Sequence, residues 1–322
     1  MNEYIFGAPD SKLVLRLADS TWQLLDKDRQ YFSDNVHRLL PLSGFIARLV
    51  QNDWLRSPPA RTAPARAVKP ATTRRLNLSK ELADFVDSDN ELQQALRAQG
   101  LSLSQWVMSL LNEYAGWNYT QREQLCFYDV YHRVEELLPS TPCLKLFLTG
   151  TGSRKTMRFQ PLRWVNGQEL PYHYLIGYDP QEQRGRAVRL SRIARVESCR
   201  GKGLTPQHRE MLEKELQNTD TAFLGEPKCD IDVRMTDAGL EMLQRIVSNR
   251  PVFLFPDSDN PAFVRLHTSE KQAFIYLNRF GADAIVLNPE TLRDRLRAYY
   301  ERAADAYHGN SAAAIEGSQI GV

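Results

Sequence analysis

The chain has 322 residues, 25% of them charged and 42% hydrophobic, and its 41 Lys and Arg against 39 Asp and Glu leave a formal net charge of +2. These values exclude a histone-like basic chain and an acidic disordered chain, and the length predicts two or three domains with their own cores. No apolar run approaches the roughly 18 residues of a transmembrane helix and the first residues lack a signal-peptide pattern, so we expect a cytoplasmic protein without membrane contact.

Four cysteines stand far apart along the chain. Cys126, Cys143, Cys199 and Cys229 form no CxxC pair and no ligand spacing with histidine. This pattern disfavours a zinc site or a disulfide, and it predicts reduced side chains that pack as small apolar residues. We expect no metal and no cofactor.

The first predicted elements belong to an internal repeat. Residues 12–51 and 73–112 align without a gap at an offset of 61, with 8 identities in 40 positions, although a chance match of leucine-rich stretches gives the same appearance. In each unit an alternating strand leads into a helix that begins at Asp19 or Ser79, and a second helix follows. This order is typical of a ribbon-helix-helix unit. Because one unit cannot bury its own strand, the two strands must pair, either within the chain or between chains.

The remaining segments complete a multidomain α+β fold class. A proline-rich basic linker precedes the second unit, and a helix from about Thr120 to Leu138 follows it. Beyond Cys143 the apolar residues alternate with a period of 2, which predicts a small, bent antiparallel sheet or β-barrel, and strands and helices then alternate in a two-layer sandwich. The predicted boundaries are 1–55 and 73–118 for the two units, 56–72 for the linker, 119–141 for the connecting helix, 142–202 for the sheet, 203–308 for a C-terminal region that we expect to dimerise, and 309–322 for a disordered tail.

The outward side chains of the paired strands are candidates for reading duplex DNA. A two-stranded ribbon fits the major groove, where Arg bonds guanine and Asn bonds adenine. The second helices are predicted to begin at serine N-caps and to offer free N–H groups to a phosphate. An ordinary amphipathic edge strand has the same alternation and is the alternative. The candidate DNA contacts are Lys12, Arg16, Ser43, Thr73, Arg75, Asn77 and Ser104.

A distinctive succession of motifs runs through the middle segment: Pro161 and Leu162, then HYLIGYD at 173–179, then VRLSRI at 188–193. It resembles the WYL domain of bacterial regulators, although His173 stands where that family has Trp. FIYLNRFGADAIVLNPETLRDRL at 274–296 is similar to the extension that commonly follows a WYL domain. The resemblance implies that the matched Tyr174, Arg189 and Arg192 line a surface for nucleic-acid or nucleotide effectors. Ribbon-helix-helix units joined to a WYL domain also resemble accessory proteins of RNA-targeting CRISPR systems.

Positive charge is concentrated in the same segment. Residues 142–200 contain 11 Lys and Arg and 4 acidic residues, with aromatic residues interleaved. Such a surface can bind a nucleic-acid backbone by charge and stack bases on its rings. The alternative is a solvated basic face with Tyr174 in the core. The candidate effector contacts are Arg158, His173, Tyr174, Arg186, Arg189 and Arg192.

The sequence contains none of the motifs GxSxG, HExxH, GxGxxG or the P-loop, so we expect no enzyme. It predicts a homodimeric transcription regulator whose ribbon binds duplex DNA and whose WYL-like sheet senses a single-stranded nucleic acid or nucleotide. One alternative is an accessory protein that binds single-stranded RNA or DNA and modulates an effector nuclease, with the ribbon face covered. Another is a scaffold that binds no nucleic acid.

Overall fold

The computed structural model describes residues 12–32, 39–56, 70–77, 80–149, 156–167, 172–255 and 262–308. Within these ranges the chain is an α+β protein with eleven α-helices and three antiparallel sheets. The fold class is confirmed at that level, but the middle sheet is open and the alternative of a closed barrel is wrong. No helix in the same ranges is long and apolar enough to cross a membrane.

A two-stranded ribbon forms within the chain. Strand β1 (Lys12–Ala18) pairs antiparallel with β2 (Ala71–Asn77), so the pairing that the sequence left open is intramolecular. Val14 lies opposite Arg75, which is its own equivalent at the offset of 61. The repeat is therefore an approximate twofold axis that passes through the centre of the ribbon. Because β2 begins at Ala71, the predicted linker is two residues too long at its C-terminal end.

Helices complete the two units. The first unit contains α1 (Asp19–Tyr31) and α2 (Leu42–Leu55), and the second contains α3 (Lys80–Ser88), α4 (Asn90–Gln99) and α5 (Leu103–Gly116). Helices α2 and α5 have 14 residues each and occupy equivalent positions in the repeat. The first helix of the second unit breaks at Asp89, whose side chain caps α4 by accepting from the Leu92 N–H.

The predicted N-caps of these helices are corrected. Asp19 is the first residue of α1 rather than its cap, and Ser79 lies outside the described residues. The caps of α2 and α5 are Pro41 and Ser102, so both helices begin one residue before the predicted serines. At α5 the reason is a capping box that Ser102 forms with Gln105, which satisfies two backbone donors reciprocally.

The two units bury one shared core with reciprocal polar contacts. Leu13, Leu15 and Leu17 point inward and are buried, as their alternation predicts. Asp28 of the first unit accepts a hydrogen bond from the Tyr114 hydroxyl of the second at 2.7 Å. Asp89, the repeat equivalent of Asp28, accepts one from the Trp54 indole of the first unit at 2.8 Å. Each unit thus satisfies a polar group of the other, which fixes their relative orientation.

The connecting segment is two helices rather than the single predicted one. Helix α6 (Tyr119–Cys126) ends at Phe127, and α7 (Tyr128–Leu137) follows. The side-chain amide of Asn52 donates to the carbonyl oxygens of Leu125 and Cys126, both at 2.9 Å. Because those last carbonyls of α6 find a partner outside the helix, the chain can change direction there.

The middle sheet contains β3 (Leu144–Leu148), β4 (Thr156–Asn166), β5 (His173–Asp179), β6 (Arg184–Arg189) and β7 (Ile193–Ser198), in the order β6-β5-β4-β3-β7. Strand β4 is bent, so its first half pairs with β3 and its second half with β5. At the bend Gly177 faces Pro161, and a Cβ on Gly177 would lie 2.3 Å from the Gln160 carbonyl oxygen. Only glycine fits this close approach.

The prediction of four reduced cysteines is wrong for one pair. Cys143 and Cys199 form a disulfide, with Cα atoms 5.4 Å apart, beside the paired strands β3 and β7. The pairing of these two strands brings together residues 56 positions apart, which the spacing of cysteines along the chain does not reveal. Cys126 is buried and Cys229 is half-buried, and both are free.

The C-terminal elements follow the predicted order. They are α8 (Pro206–Asn218), β8 (Lys228–Met235), α9 (Asp237–Arg245), β9 (Phe253–Leu254), β10 (Phe263–Ser269), α10 (Glu270–Leu277), β11 (Ala284–Asn288) and α11 (Glu290–Tyr307). The sheet order is β11-β8-β10-β9. Ile231, Val233 and Leu266 are buried in a core shared with α10 and α11, while Ile285 and Leu287 point outward and are exposed.

Candidate nucleic-acid interfaces

One face of the ribbon carries all the strand residues that the sequence predicted as DNA contacts. Alternation along β1 and β2 points six exposed side chains to the same side, arranged as three cross-strand pairs. We call this the ribbon face, and it consists of Lys12 opposite Asn77, Val14 opposite Arg75, and Arg16 opposite Thr73. At about 3.3 Å per residue it spans roughly 13 Å, which matches about four base-pair steps of 3.4 Å.

The charges on the ribbon face are uncompensated. Neither strand contains an acidic residue, and Lys12, Arg16 and Arg75 form no ion pair with any described residue. Arg74, which points to the other side, lies 3.4 Å from an Asp26 carboxylate oxygen and stacks 4.6 Å from the centre of the Trp22 ring. Arg74 is therefore held by contacts within the chain, whereas the three cations of the ribbon face are available to bind an anion.

The two serines predicted as phosphate contacts have different surroundings. The Ser104 hydroxyl accepts from the Val14 backbone N–H at 3.3 Å, so it closes the free edge of β1. The capping box at Ser102 also occupies the Gln105 N–H, which reduces the donors that α5 can offer. Ser43 and Arg48 line a groove of about 830 Å³ that extends along α2 from Leu40 to Leu55. Helix α2 has no side-chain cap, so its first N–H groups are not taken by a capping side chain.

Arg189, predicted as an effector contact, is bound within the protein. Its Nε donates to Glu123 at 2.9 Å, one Nη donates to the Tyr119 hydroxyl at 2.9 Å, and the guanidinium lies 3.4 Å from the centre of the Tyr172 ring. Burial would lower the pKa of Arg189, but the Glu123 carboxylate outweighs it and raises the pKa. The side chain therefore remains charged and fastens β6 to α6.

His173 and Tyr174 are also buried. The backbone N–H of His173 donates to Glu123 at 2.8 Å, its Nδ1 lies 2.6 Å from the Asn166 side-chain oxygen, and its ring packs against Trp164. Burial lowers the pKa of His173 to about 4, so the ring is neutral at pH 7 and cannot hold a phosphate by charge. Burial raises the pKa of Tyr174 to about 12, and its ring lies in a cluster with Leu212 of α8.

The other three predicted effector contacts lie at separate places on the sheet. Arg186 on β6 forms an ion pair with Glu182 at 2.8 Å and lies 3.7 Å from Asp179. Arg192 is exposed in the short 3₁₀ turn between β6 and β7. Arg158 on β4 is exposed and forms no ion pair with a described residue. The six positions therefore do not form one surface.

A basic and aromatic surface that the predicted set missed surrounds Arg158. Lys145 on β3 lies directly opposite Arg158, and its Nζ is 4.9 Å from the centre of the Phe147 ring. Arg195 on β7 covers the same ring at 4.2 Å and pairs with Glu197 at 3.0 Å. We call Lys145, Phe147, Arg158 and Arg195 the sheet face. The alternation of Lys145 and Phe147 along β3 was the available signal, but the adjacency of three strands is not visible in sequence.

Comparison with known proteins gives a fold but no family. No protein-family model matches the chain, and a search of curated proteins finds no match. A solved structure described as a CRISPR Cas-related protein is similar with a TM-score of 0.68 and 17% identity, covering 97% of each chain. Proteasome accessory factor B/C (PafBC) of Arthrobacter aurescens gives a TM-score of 0.31 and 15% identity over 71% of this chain and 36% of that one, too low to support an argument.

Proposed function

We propose that the chain is a nucleic-acid-binding transcription regulator that inserts the ribbon face into the major groove of duplex DNA. The observation that carries the proposal is the exposure of three unpaired cations on one face of an intrachain ribbon. A groove about 12 Å wide admits such a ribbon. The accessory-protein alternative expects this face to be covered, and within the described part of the chain nothing covers it.

The residue types on the ribbon face suit base recognition. The guanidinium group of Arg16 or Arg75 can donate two hydrogen bonds to one guanine, at its O6 and N7 acceptors. The side-chain amide of Asn77 can form two hydrogen bonds with one adenine. Val14, which is 45% exposed, can contact the methyl group of thymine. Lys12 and Thr73 can reach base edges or phosphates at the ends of the ribbon.

We place the proposed effector site on the sheet face rather than around Arg189. Lys145 lies between two cross-strand neighbours, Arg158 on β4 and Glu197 on β7, so the three cations of the sheet face stand against one carboxylate. Like charges directly opposite each other cost stability, and the phosphate of a single-stranded nucleic acid or a nucleotide would offset the repulsion between Lys145 and Arg158, with its base near Phe147. The motifs at 173–179 and 188–193, which resemble a WYL domain, lie on β5 to β7 of the same sheet.

We also propose that the chain forms a homodimer through its C-terminal sheet. Exposed Phe263, Ile285 and Leu287 lie on the open side of the C-terminal sheet, with Phe263 and Ile285 both opposite Arg234 of β8. Apolar side chains on an uncovered sheet face suit burial against a second copy of the chain.

A second candidate function rests on one observation, the fold shared along 97% of the chain with a CRISPR Cas-related protein. In this version the chain is a defence-associated accessory protein that binds single-stranded RNA or DNA through the sheet face and modulates an effector nuclease. It requires neither base recognition nor exposure of the ribbon.

Binding assays with two substitutions separate these functions. Fluorescence anisotropy would compare a duplex of the protein's own promoter with each single strand at 50 mM and 200 mM salt. We expect Arg75→Ala to weaken duplex binding by roughly 10- to 100-fold, the value of one good base contact, and Arg158→Ala to weaken only single-strand binding. Arg245→Ala is the matched control, because Arg245 is 79% exposed and lies on α9, away from both faces.

Three results decide between the proposals. Loss of duplex binding in Arg75→Ala but not in Arg245→Ala supports the regulator. Binding of single strands alone, unaffected by Arg75→Ala, supports the accessory protein. The same affinity for every nucleic acid in all variants contradicts both.

A further inference from the structure

The ribbon face is built from one chain, and its two halves are chemically different. In a ribbon made from two identical chains, residues related by the twofold axis are identical by necessity. Here the approximate axis relates Lys12 to Thr73, Val14 to Arg75 and Arg16 to Asn77. In each of these three pairs, the axis therefore relates two residues of different chemical class.

The difference is greatest at the centre of the ribbon. Val14 and Arg75 lie opposite each other on the axis, so the two central base contacts come from an apolar side chain and from a guanidinium. An isopropyl group favours the thymine methyl, and a guanidinium favours the guanine acceptors. A palindrome presents the same chemical groups to both halves of the ribbon, so it cannot satisfy both residues.

The two ends of the ribbon also differ. One end carries Lys12 beside Asn77, and the other carries Arg16 beside Thr73. Bidentate recognition of adenine by an amide is therefore available at the first end only, and β1 offers a flexible lysine at that end and the rigid fork of an arginine at the second. The order of the preferred bases has a direction along the duplex.

The helices that flank the ribbon repeat this asymmetry. Helix α5 is bound to the edge of β1 through Ser104 and Met108, which accept from the backbone N–H groups of Val14 and Arg16 at 3.3 and 3.2 Å. Among the described residues, Ser43 of α2 forms no equivalent bond to β2. Helix α5 also carries a capping box, whereas α2 has no side-chain cap.

We propose that a single chain reads a non-palindromic duplex element of about four base pairs. This inference rests on the proposed function, because it specifies the substrate of the ribbon face. A homodimer would then read two copies of a directional element, and any symmetry of the whole operator would come from the arrangement of chains rather than from the ribbon.

Selection from randomised duplexes tests the proposal. The pool would carry a random core in duplexes of about 10 base pairs, too short for two ribbons one helical turn apart. The wild-type full-length chain is compared with K12T/V14R/R16N, which gives both halves the outward residues of β2. The matched variant T73K/R75V/N77R gives both halves the outward residues of β1. All six positions are exposed, so circular dichroism is expected to show the same fold in each.

The expected result is a directional element for the wild type and two different palindromes for the symmetrised variants. Each protein should prefer its own class of element by about tenfold or more, the discrimination expected for a single base contact. A palindrome selected by the wild type, or a directional element retained by both variants, overturns the inference while leaving duplex binding intact. If the wild type enriches no duplex and binds the pool no better than Arg75→Ala does, the proposed function itself fails.

Discussion

Glu123 provides a direct test of how the helical region is fastened to the middle sheet. Its side chain is fully buried, and its two oxygens accept from different donors: Oε1 from the Arg189 guanidinium at 2.9 Å and Oε2 from the His173 backbone N–H at 2.8 Å. One carboxylate on α6 thus joins β5 and β6. Arg189, at 21% exposure, has no other carboxylate within ion-pair distance among the described residues.

The substitution Glu123→Gln has a predictable cost. An amide of the same shape has one acceptor atom, so its NH₂ group must face either the Arg189 guanidinium or the His173 N–H, both of which are donors. The charge of Arg189 is also left without a partner in a largely buried position. Removing one member of a buried ion pair destabilises by about 3 to 5 kcal/mol, and we expect a value in that range. The exposed pair of Arg195 and Glu197 provides the control, and Glu197→Gln should cost less than about 1 kcal/mol.

Native-state hydrogen exchange is the most direct assay, because the amide of His173 is itself a donor to Glu123. A loss of about 3 kcal/mol corresponds to exchange roughly 150 times faster at this amide. Urea unfolding monitored by circular dichroism gives the global cost. The double variant E123L/R189M removes both charges and should recover part of the lost stability, since an apolar pair avoids the unpaired charge. Unchanged exchange at His173 in Glu123→Gln, or a double variant E123L/R189M less stable than E123L alone and R189M alone, would refute this account of the interface.

Two further predictions concern the same sheet. Burial lowers the pKa of His173 to about 4, so between about pH 6.5 and pH 4 this side chain is protonated in the unfolded chain but not in the native chain. The free energy of unfolding should therefore fall by up to about 3 kcal/mol as the pH drops through this range. In a plot of the urea midpoint against pH, His173→Phe should reduce the slope over this pH range. An unaltered slope would contradict the burial of a neutral ring. The disulfide closes a loop between residues 56 positions apart and should stabilise by up to about 4 kcal/mol. Dithiothreitol should therefore lower the urea midpoint of the wild type but not of Cys143→Ser, and equal shifts in both would refute a stabilising role.

The ribbon was predictable because its information is local. Alternation of Leu13, Leu15 and Leu17 with polar residues defines two faces of a strand without reference to any other part of the chain. The repeat then specifies a partner, since two equivalent strands on an axis must pair antiparallel. Only the choice between one chain and two was open, and it depends on a linker whose path the sequence pattern does not give.

The surroundings of the predicted effector contacts were harder to predict, because burial depends on the whole fold. Arg189 and Glu123 stand 66 positions apart, and no pattern along β6 indicates that a helix covers it. An arginine beside an aromatic residue has the same sequence signature whether it faces solvent or an internal carboxylate. The resemblance to a WYL domain selected Tyr174 and Arg189 by motif, whereas here Arg189 binds α6 and the ring of Tyr174 packs in a cluster with Leu212 of α8.

Helix α6 links the first unit to the middle sheet through two consecutive residues. Arg122 and Glu123 are consecutive, yet Arg122 donates to Asp28 of α1 at 2.6 Å while Glu123 binds Arg189 of β6. Asp28 is only 1% exposed, so both contacts are buried. The two contacts join the first unit to the middle sheet through one eight-residue helix. Substituting Arg122 or Glu123 alone leaves the charge of its partner buried and unpaired, so each substitution is expected to cost about 3 to 5 kcal/mol. Because the two ion pairs lie on opposite sides of the same short helix, loss of either one should also loosen the other.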